Sequence, residues 1–139
     1  MSNSYQIINH TADLGLHVFG SDPEDLFATA ARAMFEIIAD IGSVKATESL
    51  TLRVQGADWP DLMVNWLREL LYLWSGKELM VSSTQITHLS DREIEAIVRT
   101  EPFDPDRHLI RTEIKAVTYH QIRVDCRSTG WQARIIFDV

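Results

Sequence analysis

The feature of this sequence that most constrains its fold is a pair of stretches with the period of an α-helix. In the first, apolar residues recur at spacings of three and four, as on one face of a helix: Leu26, Ala30, Ala33, Ile37 and Ile41. Ser21 and Glu24 have the spacing of a capping box, and Pro23 suits a first turn. We therefore predict a helix that begins after Ser21 and ends near Gly42.

The second helical stretch begins at Asp58-Trp59-Pro60. Its apolar residues form a broad face: Leu62, Met63, Trp66, Leu67, Leu70, Leu71 and Trp74. The aromatic residues at helical spacing favour a role in the core over a cofactor site.

Most of the remaining chain alternates between apolar and polar residues, which is typical of half-buried strands. The predicted strands are Tyr5–Asn9, Leu14–Phe19, Glu48–Gln55, Thr84–Leu89, Arg92–Arg99, Glu113–Val117, Gln121–Arg127 and Trp131–Asp138. Ser128-Thr129-Gly130 is a hairpin signal, and Glu101–Arg107, with its two prolines, reads as a loop. The pattern predicts one α/β domain over residues 1–139, a two-layer sandwich with both helices on one face of a mostly antiparallel sheet.

Charge and composition limit the classes of function. The net charge of −7, from 13 basic and 20 acidic residues, argues against strong direct binding of nucleic acid and against an anionic membrane surface. A role in nucleic-acid metabolism would then act through a partner or a small local patch. The single cysteine, Cys126, offers no internal disulfide and no zinc motif. Without a signal-like start or a long apolar run, we expect a cytoplasmic protein.

Familiar catalytic motifs are absent, but two aspartates stand at unusual places. The sequence has no GxGxxG, GxxxxGK[ST], GxSxG or HExxH motif. Asp13 lies between the first two predicted strands, and Asp138 ends the last, apolar strand. If these strands are neighbours, both carboxylates converge with the terminal carboxylate of Val139. Such a cluster needs a shared proton or a hard cation such as Ca²⁺ or Mg²⁺. Alternatively, both aspartates are exposed strand ends that never meet.

Other polar candidates each have a structural alternative. Lys115, in a predicted short strand, is either functional or a solvated edge residue, and Glu69 either points into a cleft or forms a helix-edge salt bridge. His10 could orient Asp13, bind a metal or simply stabilise a turn. His17, His88 and His108 show no pairing that suggests a site, and His120 either belongs near Lys115 or forms a structural hydrogen bond. Cys126 is most simply a core or edge residue.

Several segments together resemble the archease family. They are His10–Gly15, which is similar to an HTAD-x-G opening, Leu26–Phe35, Asn65–Tyr72, Glu113–His120 and Phe137–Val139. They occur in the family's order and at compatible spacing from about Tyr5 to Val139. Residues 82–111 carry little of the family signature.

The resemblance implies a specific function. Archeases are accessory proteins that activate the tRNA-splicing RNA ligase by promoting its guanylylation and multiple turnover. Some are linked instead to tRNA methyltransferases as chaperones. By resemblance, Asp13, Asp138 and Val139 hold a divalent cation, with Ca²⁺ favoured and Mg²⁺ or Mn²⁺ as alternatives, and Glu69 and Lys115 take part in ligase activation.

Three functions therefore compete at this point. The first is a ligase activator that has no catalytic activity by itself. The second is a stand-alone metal-dependent enzyme such as a phosphoesterase, which would use the same carboxylates but lacks a recognisable nucleophile. The third is a chaperone for an RNA-modifying enzyme, in which the cation would only be structural.

Overall fold

Two helices form where the sequence predicts them, with related N-terminal caps. The computed structural model describes residues 4–9 and 13–139, apart from the side chain of Asn9. Helix α1 spans Pro23–Ile38 and helix α2 spans Trp59–Ser75. The cap of α1 is Asp22, not Ser21: its carboxylate accepts the backbone N–H of Asp25, whose own carboxylate accepts the N–H of Ser21. This reciprocal arrangement satisfies amide groups that a helix start leaves unpaired.

The predicted end of α1 near Gly42 is wrong by one turn. Ala39 adopts an extended conformation and forms an isolated β-bridge with Ile110. Ile41–Ser43 is a separate 3-10 turn capped by Asp40. The helical spacing of Ile41 therefore reflects packing against the core after the helix has ended. No helix in the described parts of the chain is both long and apolar enough to cross a bilayer.

The strands form two antiparallel sheets. Their bounds are β1 Ser4–Asn9, β2 Asp13–Gly20, β3 Glu48–Gln55, β4 Leu79–Leu89, β5 Glu93–Pro102, β6 Ala116–Arg127 and β7 Gly130–Asp138. The first sheet has the order β1-β2-β7-β6, and the second has the order β3-β5-β4. The predicted fold class of two helices on antiparallel sheet is confirmed, whereas the division into two sheets was not predicted. Both helices contact both sheets, so the helices join the two halves.

The core lies between the helices and the sheets. Trp66 of α2 is fully buried, as its place on the apolar face predicted, and its indole N–H donates to the carbonyl of Phe27 on α1 at 3.0 Å. A buried indole needs such a partner, because its N–H otherwise loses the hydrogen bond it makes in water. Leu16 of β2 and Ile135 of β7 are also fully buried in this cluster.

Strand β6 differs most from its prediction. The predicted strand over residues 113–117 is wrong: Glu113–Lys115 is irregular, and β6 begins at Ala116. Register is kept from Ala116 to Thr118 and resumes at Arg123, so residues 119–122 bulge out opposite Ile135. Gln121 has a φ of 53°, a left-handed conformation that is uncommon outside glycine. The bulge therefore presents Tyr119 and His120 outside the regular pleat.

The segment predicted as a loop, residues 101–107, contributes to a buried ionic cluster. Strand β5 extends to Pro102, so Glu101 belongs to the sheet. Arg107 pairs with the Glu101 carboxylate, and the backbone N–H of Lys45 donates to it at 2.8 Å. The Nδ1 atom of buried His108 accepts the N–H of Asp104, so its Nε2 carries the proton and donates to Glu101 at 2.8 Å. These contacts, the Arg107 hydrogen bond first, lower the pKa of Glu101 from 4.5 to about 2.

Because of this cluster, we expect wild type to be more stable than a Glu101 variant at neutral pH but not in acid. The pKa of Glu101 is lower in the folded protein than in the unfolded chain, so its charge stabilises the fold above about pH 4.5. That contribution is lost as the pH falls towards 2. In urea unfolding, Glu101→Gln should have a lower free energy of unfolding than wild type at pH 7. This difference in free energy should narrow steadily below pH 4.5. Glu48→Gln, at an exposed strand start, is the control. A difference in free energy of unfolding that is the same at all pH values would contradict the prediction.

Candidate functional site

Strands β2 and β7 bring the two predicted aspartates together at one end of the first sheet. Asp13 is the residue directly opposite Asp138 in the antiparallel register, and Ala116 of β6 lies on the other side of Asp138. Residues in this relation have Cβ atoms about 5 Å apart. The alternative in which the aspartates never meet is therefore wrong.

The environment of Asp13 is unusual for a carboxylate. Its Oδ1 atom is buried and has no hydrogen-bond partner among the described residues, while Asp138 is exposed. Like charges directly opposite on a sheet destabilise it, and an unsatisfied buried polar atom costs about 1–3 kcal/mol. Both costs would be offset by a cation between the carboxylates.

The main chain of Lys115 is attached to this same end of the sheet. Its backbone N–H donates to the carbonyl oxygen of Asp138 at 2.7 Å. The residue is exposed, as the solvated alternative expected, but it precedes β6 and does not belong to a strand. Asp13, Asp138 and Lys115 therefore lie on three adjacent segments of chain.

Glu69 lies on the solvent-facing side of α2, close in sequence to the contacts that link α2 with β6. It is exposed, and within the described ranges 4–9 and 13–139 its side chain forms no hydrogen bond or ion pair. The helix-edge salt bridge considered above is thus not formed with these residues. The preceding residue, Arg68, donates from Nε to the carbonyl of Val117 at 3.0 Å, two residues after Lys115.

A polar cluster beside this contact was missed by the sequence analysis. The Arg68 guanidinium lies 4.7 Å from the centre of the Tyr119 ring, a cation–π contact. The Tyr119 hydroxyl donates to Asp61 at 2.6 Å and also lies 3.3 Å from Asn65 Oδ1. This hydrogen bond raises the pKa of Tyr119 and lowers that of Asp61. The cluster ties the bulge of β6 to α2, and only the β6 bulge, which sequence periodicity does not show, places Tyr119 there.

The donor atoms at the sheet end suit a hard cation. Carboxylate oxygens are the usual ligands of Ca²⁺ and Mg²⁺, and the buried unpartnered oxygen of Asp13 fits such a role. Among the described residues, no group of three or more His, Cys, Asp or Glu side chains could hold a metal. Asp13 and Asp138 are therefore the described side-chain donors, the terminal carboxylate of Val139 stays an expectation, and His10 lies outside the described residues.

The remaining histidines and the cysteine have structural surroundings. His17 Nε2 lies 3.1 Å from Gln132 Oε1, and exposed His88 lies 3.7 Å from Glu93. His108, for which the sequence showed no pairing that suggests a site, has a structural partner in the Glu101 cluster. Cys126 is exposed on the edge strand β6.

Comparison with known proteins identifies relatives over nearly the whole chain. The model of the archease protein family matches residues 5–139. The archease of Methanopyrus kandleri is 34% identical, covering 97% of this chain and 99% of its own. The archease of Methanosarcina acetivorans is 33% identical, covering 97% and 95%.

Solved structures agree with these sequence relatives. A solution structure of a Methanobacterium thermoautotrophicum protein has a TM-score of 0.80 at 29% identity, covering 97% of this chain and 98% of that one. A Thermotoga maritima crystal structure, described as an archease and possible chaperone, has a TM-score of 0.65 at 21% identity, covering 96% of both chains. At that identity it supports the fold alone. The family match and the identities above 30% over almost the full length show that this chain belongs to the archease family.

Proposed function

We propose that this protein activates a tRNA-splicing RNA ligase by promoting the guanylylation and multiple turnover of that enzyme. The proposal gives the protein a divalent-cation site built from Asp13, Asp138 and the carboxylate of Val139. The observation that carries it is the pairing of the two aspartates across β2 and β7, with a buried Asp13 oxygen that has no partner among the described residues.

The donor chemistry supports a cation rather than a shared proton. The register places the Asp13 and Asp138 carboxylates side by side, and a pair of oxygen donors of this kind suits a hard divalent cation, which would offset their mutual repulsion. A bound Ca²⁺, Mg²⁺ or Mn²⁺ would supply positive charge that phosphate oxygens of a nucleotide can share. Asp13 and Asp138 would hold the ion, and their fixed register would keep the two carboxylates in position.

Lys115 is the residue that would act on the ligase's substrate. Because its backbone is hydrogen-bonded to Asp138, the lysine is anchored beside the two carboxylates while its side chain remains exposed. An ammonium group there could stabilise negative charge that develops on a leaving pyrophosphate. Glu69 would contribute from α2, the helix whose Arg68 holds the strand that follows Lys115.

The charge of the molecule suits a protein partner that binds RNA. A net charge of −7 complements the basic surface such an enzyme needs, and complementary charge speeds the encounter of two proteins. In this scheme the archease is an accessory protein, and the nucleophile belongs to the ligase.

A second candidate is a chaperone for a tRNA methyltransferase or another RNA-modifying enzyme. The match to the archease family over residues 5–139 supports it, because the resemblance links some archeases to such enzymes as chaperones. In that role the cation would be structural, and the acidic surface would serve to cover a partner.

The cation site predicts that Asp13→Asn stabilises the metal-free protein but removes the stabilisation that a bound cation provides. Without metal, Asp13→Asn should raise the melting temperature, because it removes the repulsion with Asp138. Adding Ca²⁺ at about 100 times its dissociation constant should stabilise wild type by about 2.7 kcal/mol and leave this variant unchanged. Differential scanning calorimetry at pH 7 measures both.

Asp91→Asn is the matched control, since Asp91 is exposed in the turn between β4 and β5 and its substitution changes the net charge equally. It should keep the full response to Ca²⁺. If Ca²⁺, Mg²⁺ and Mn²⁺ all leave the melting temperature of wild type unchanged, the site is refuted.

Ligase activation is tested by guanylylation with labelled GTP and limiting cognate ligase. We expect this protein to increase the labelled ligase and the number of ligation turnovers. Asp13→Ala, Asp138→Ala and Lys115→Ala should each abolish the increase while circular dichroism shows the fold intact. Lys45→Ala, which removes an exposed lysine from the loop before β3, should stimulate like wild type.

The two candidate functions give different results in this assay. If all variants stimulate equally, the mechanism through these residues is wrong. If wild type does not stimulate but prevents aggregation of a methyltransferase, and Asp13→Ala does so equally, the chaperone function replaces ligase activation.

A further inference from the structure

A row of basic side chains crosses the outer face of the first sheet. The core-facing residues of β2 and β7, such as Leu16 and Ile135, point towards the helices, so their neighbours point away. On that outer face, Arg134 of β7 lies directly between His17 of β2 and Arg123 of β6. Like charges placed opposite one another destabilise a sheet.

Arg134 is the unusual member of this row. Its Nε atom is buried, and within the described part of the chain its side chain has no hydrogen-bond or ion-pair partner. One acid on this face, Asp125, is instead engaged by its neighbours: Gln132 donates to it at 2.9 Å, and the Nε atoms of Arg127 and Arg123 lie 3.5 and 3.9 Å away. Arg134 thus remains an uncompensated guanidinium at the centre of the face, although acidic residues outnumber basic ones in the sequence.

An aromatic surface and an open pocket lie beside the row. Phe19 is two residues from His17 on the same face, and their rings are 4.4 Å apart. A pocket of about 340 Å³ is lined by Phe19, Gln132 and Arg127, among others. Gln132 and Arg134 are two residues apart on one strand, so their Cα atoms lie about 7 Å apart and the pocket is next to the row.

We propose that this outer face, which we call the Arg134 face, binds one nucleotide unit. Its phosphate would contact Arg134 and Arg123, and its base would stack on Phe19 beside the pocket. An open sheet face that combines an aromatic ring with arginines is a usual way for proteins to hold single nucleotides of RNA. The guanidinium fork of arginine matches the oxygens of a phosphate.

The size of the site reconciles this inference with the acidity of the chain. Binding a long nucleic acid requires many cations, which this protein lacks. One nucleotide needs only the local row, whose charge is screened from the distant acids of the surface. The nucleotide can come from a free nucleoside triphosphate or from a single-stranded RNA.

The test uses nuclear magnetic resonance on the intact metal-free protein in EDTA, so that the carboxylate site cannot recruit a triphosphate. The Nε–H signal of Arg134 and the ring signals of Phe19 are followed while GTP, tripolyphosphate or a ten-nucleotide uridine RNA is added. We expect saturable shifts of both residues with a nucleotide ligand, and of Arg134 alone with tripolyphosphate.

Substitutions identify the residues responsible. Arg134→Gln should weaken nucleotide binding at least about tenfold, as the loss of a charge-assisted hydrogen bond does, without lowering the melting temperature. Phe19→Leu should weaken nucleotide but not tripolyphosphate binding. Arg92→Gln, at an exposed arginine in the turn between β4 and β5, loses the same charge and should bind like wild type.

The results distinguish a free nucleotide from an RNA strand as the ligand, and they can refute the proposed site. Binding of RNA without GTP assigns the site to an RNA strand, and the reverse assigns it to the free nucleotide. Unchanged binding in Arg134→Gln, no saturable shift with any ligand, or equal shifts with an acidic peptide would overturn the proposal. None of these results depends on ligase activation.

Discussion

The antiparallel pairing of β2 with β7 is the contact on which the rest of the structure depends. It joins a strand near the start of the described chain to the last strand and forms the middle of the first sheet. Its register places Leu16 opposite Ile135 in the core, Asp13 opposite Asp138 at one end, and His17 opposite Arg134 on the outer face. A slip by one residue would turn every one of these side chains to the other face. The same register that buries the core therefore also assembles the polar sites.

Elements with strong local signals could be predicted from the sequence. The caps at Asp22 and Asp58 begin helices whose apolar faces are continuous, so their starts lie within one residue of the expected positions. Strand β3 is found as predicted, because its period-two pattern is uninterrupted. The hairpin between β6 and β7 follows from Gly130, whose φ of 130° suits glycine and where a Cβ would lie 2.7 Å from the carbonyl of Gly20.

Features that depend on contacts between distant segments could not be predicted. Nothing local to α1 shows that Ala39 pairs with Ile110, and nothing in the alternation of β6 shows where its bulge lies. The buried Glu101 was assigned to a loop because two prolines follow it, whereas Arg107 and His108 compensate its charge in the fold. For the candidate site, spacing alone suggested Asp13 and Asp138, but only the strand order places one opposite the other.

On the outer face of the first sheet, Arg134 is kept apart from the carboxylates of Asp13 and Asp138, and this separation has a physical consequence. Asp138 and Arg134 are four residues apart on β7, which is about 13 Å along a strand. Between them lies Ile136, only 2% exposed, with Gly15 opposite it on β2. A Cβ at Gly15 would lie 3.4 Å from the end of the Ile136 side chain, so the isoleucine occupies the space where a polar bridge would pass. Because the carboxylates and the guanidinium cannot neutralise each other across this apolar step, each remains available to an external ligand of opposite charge.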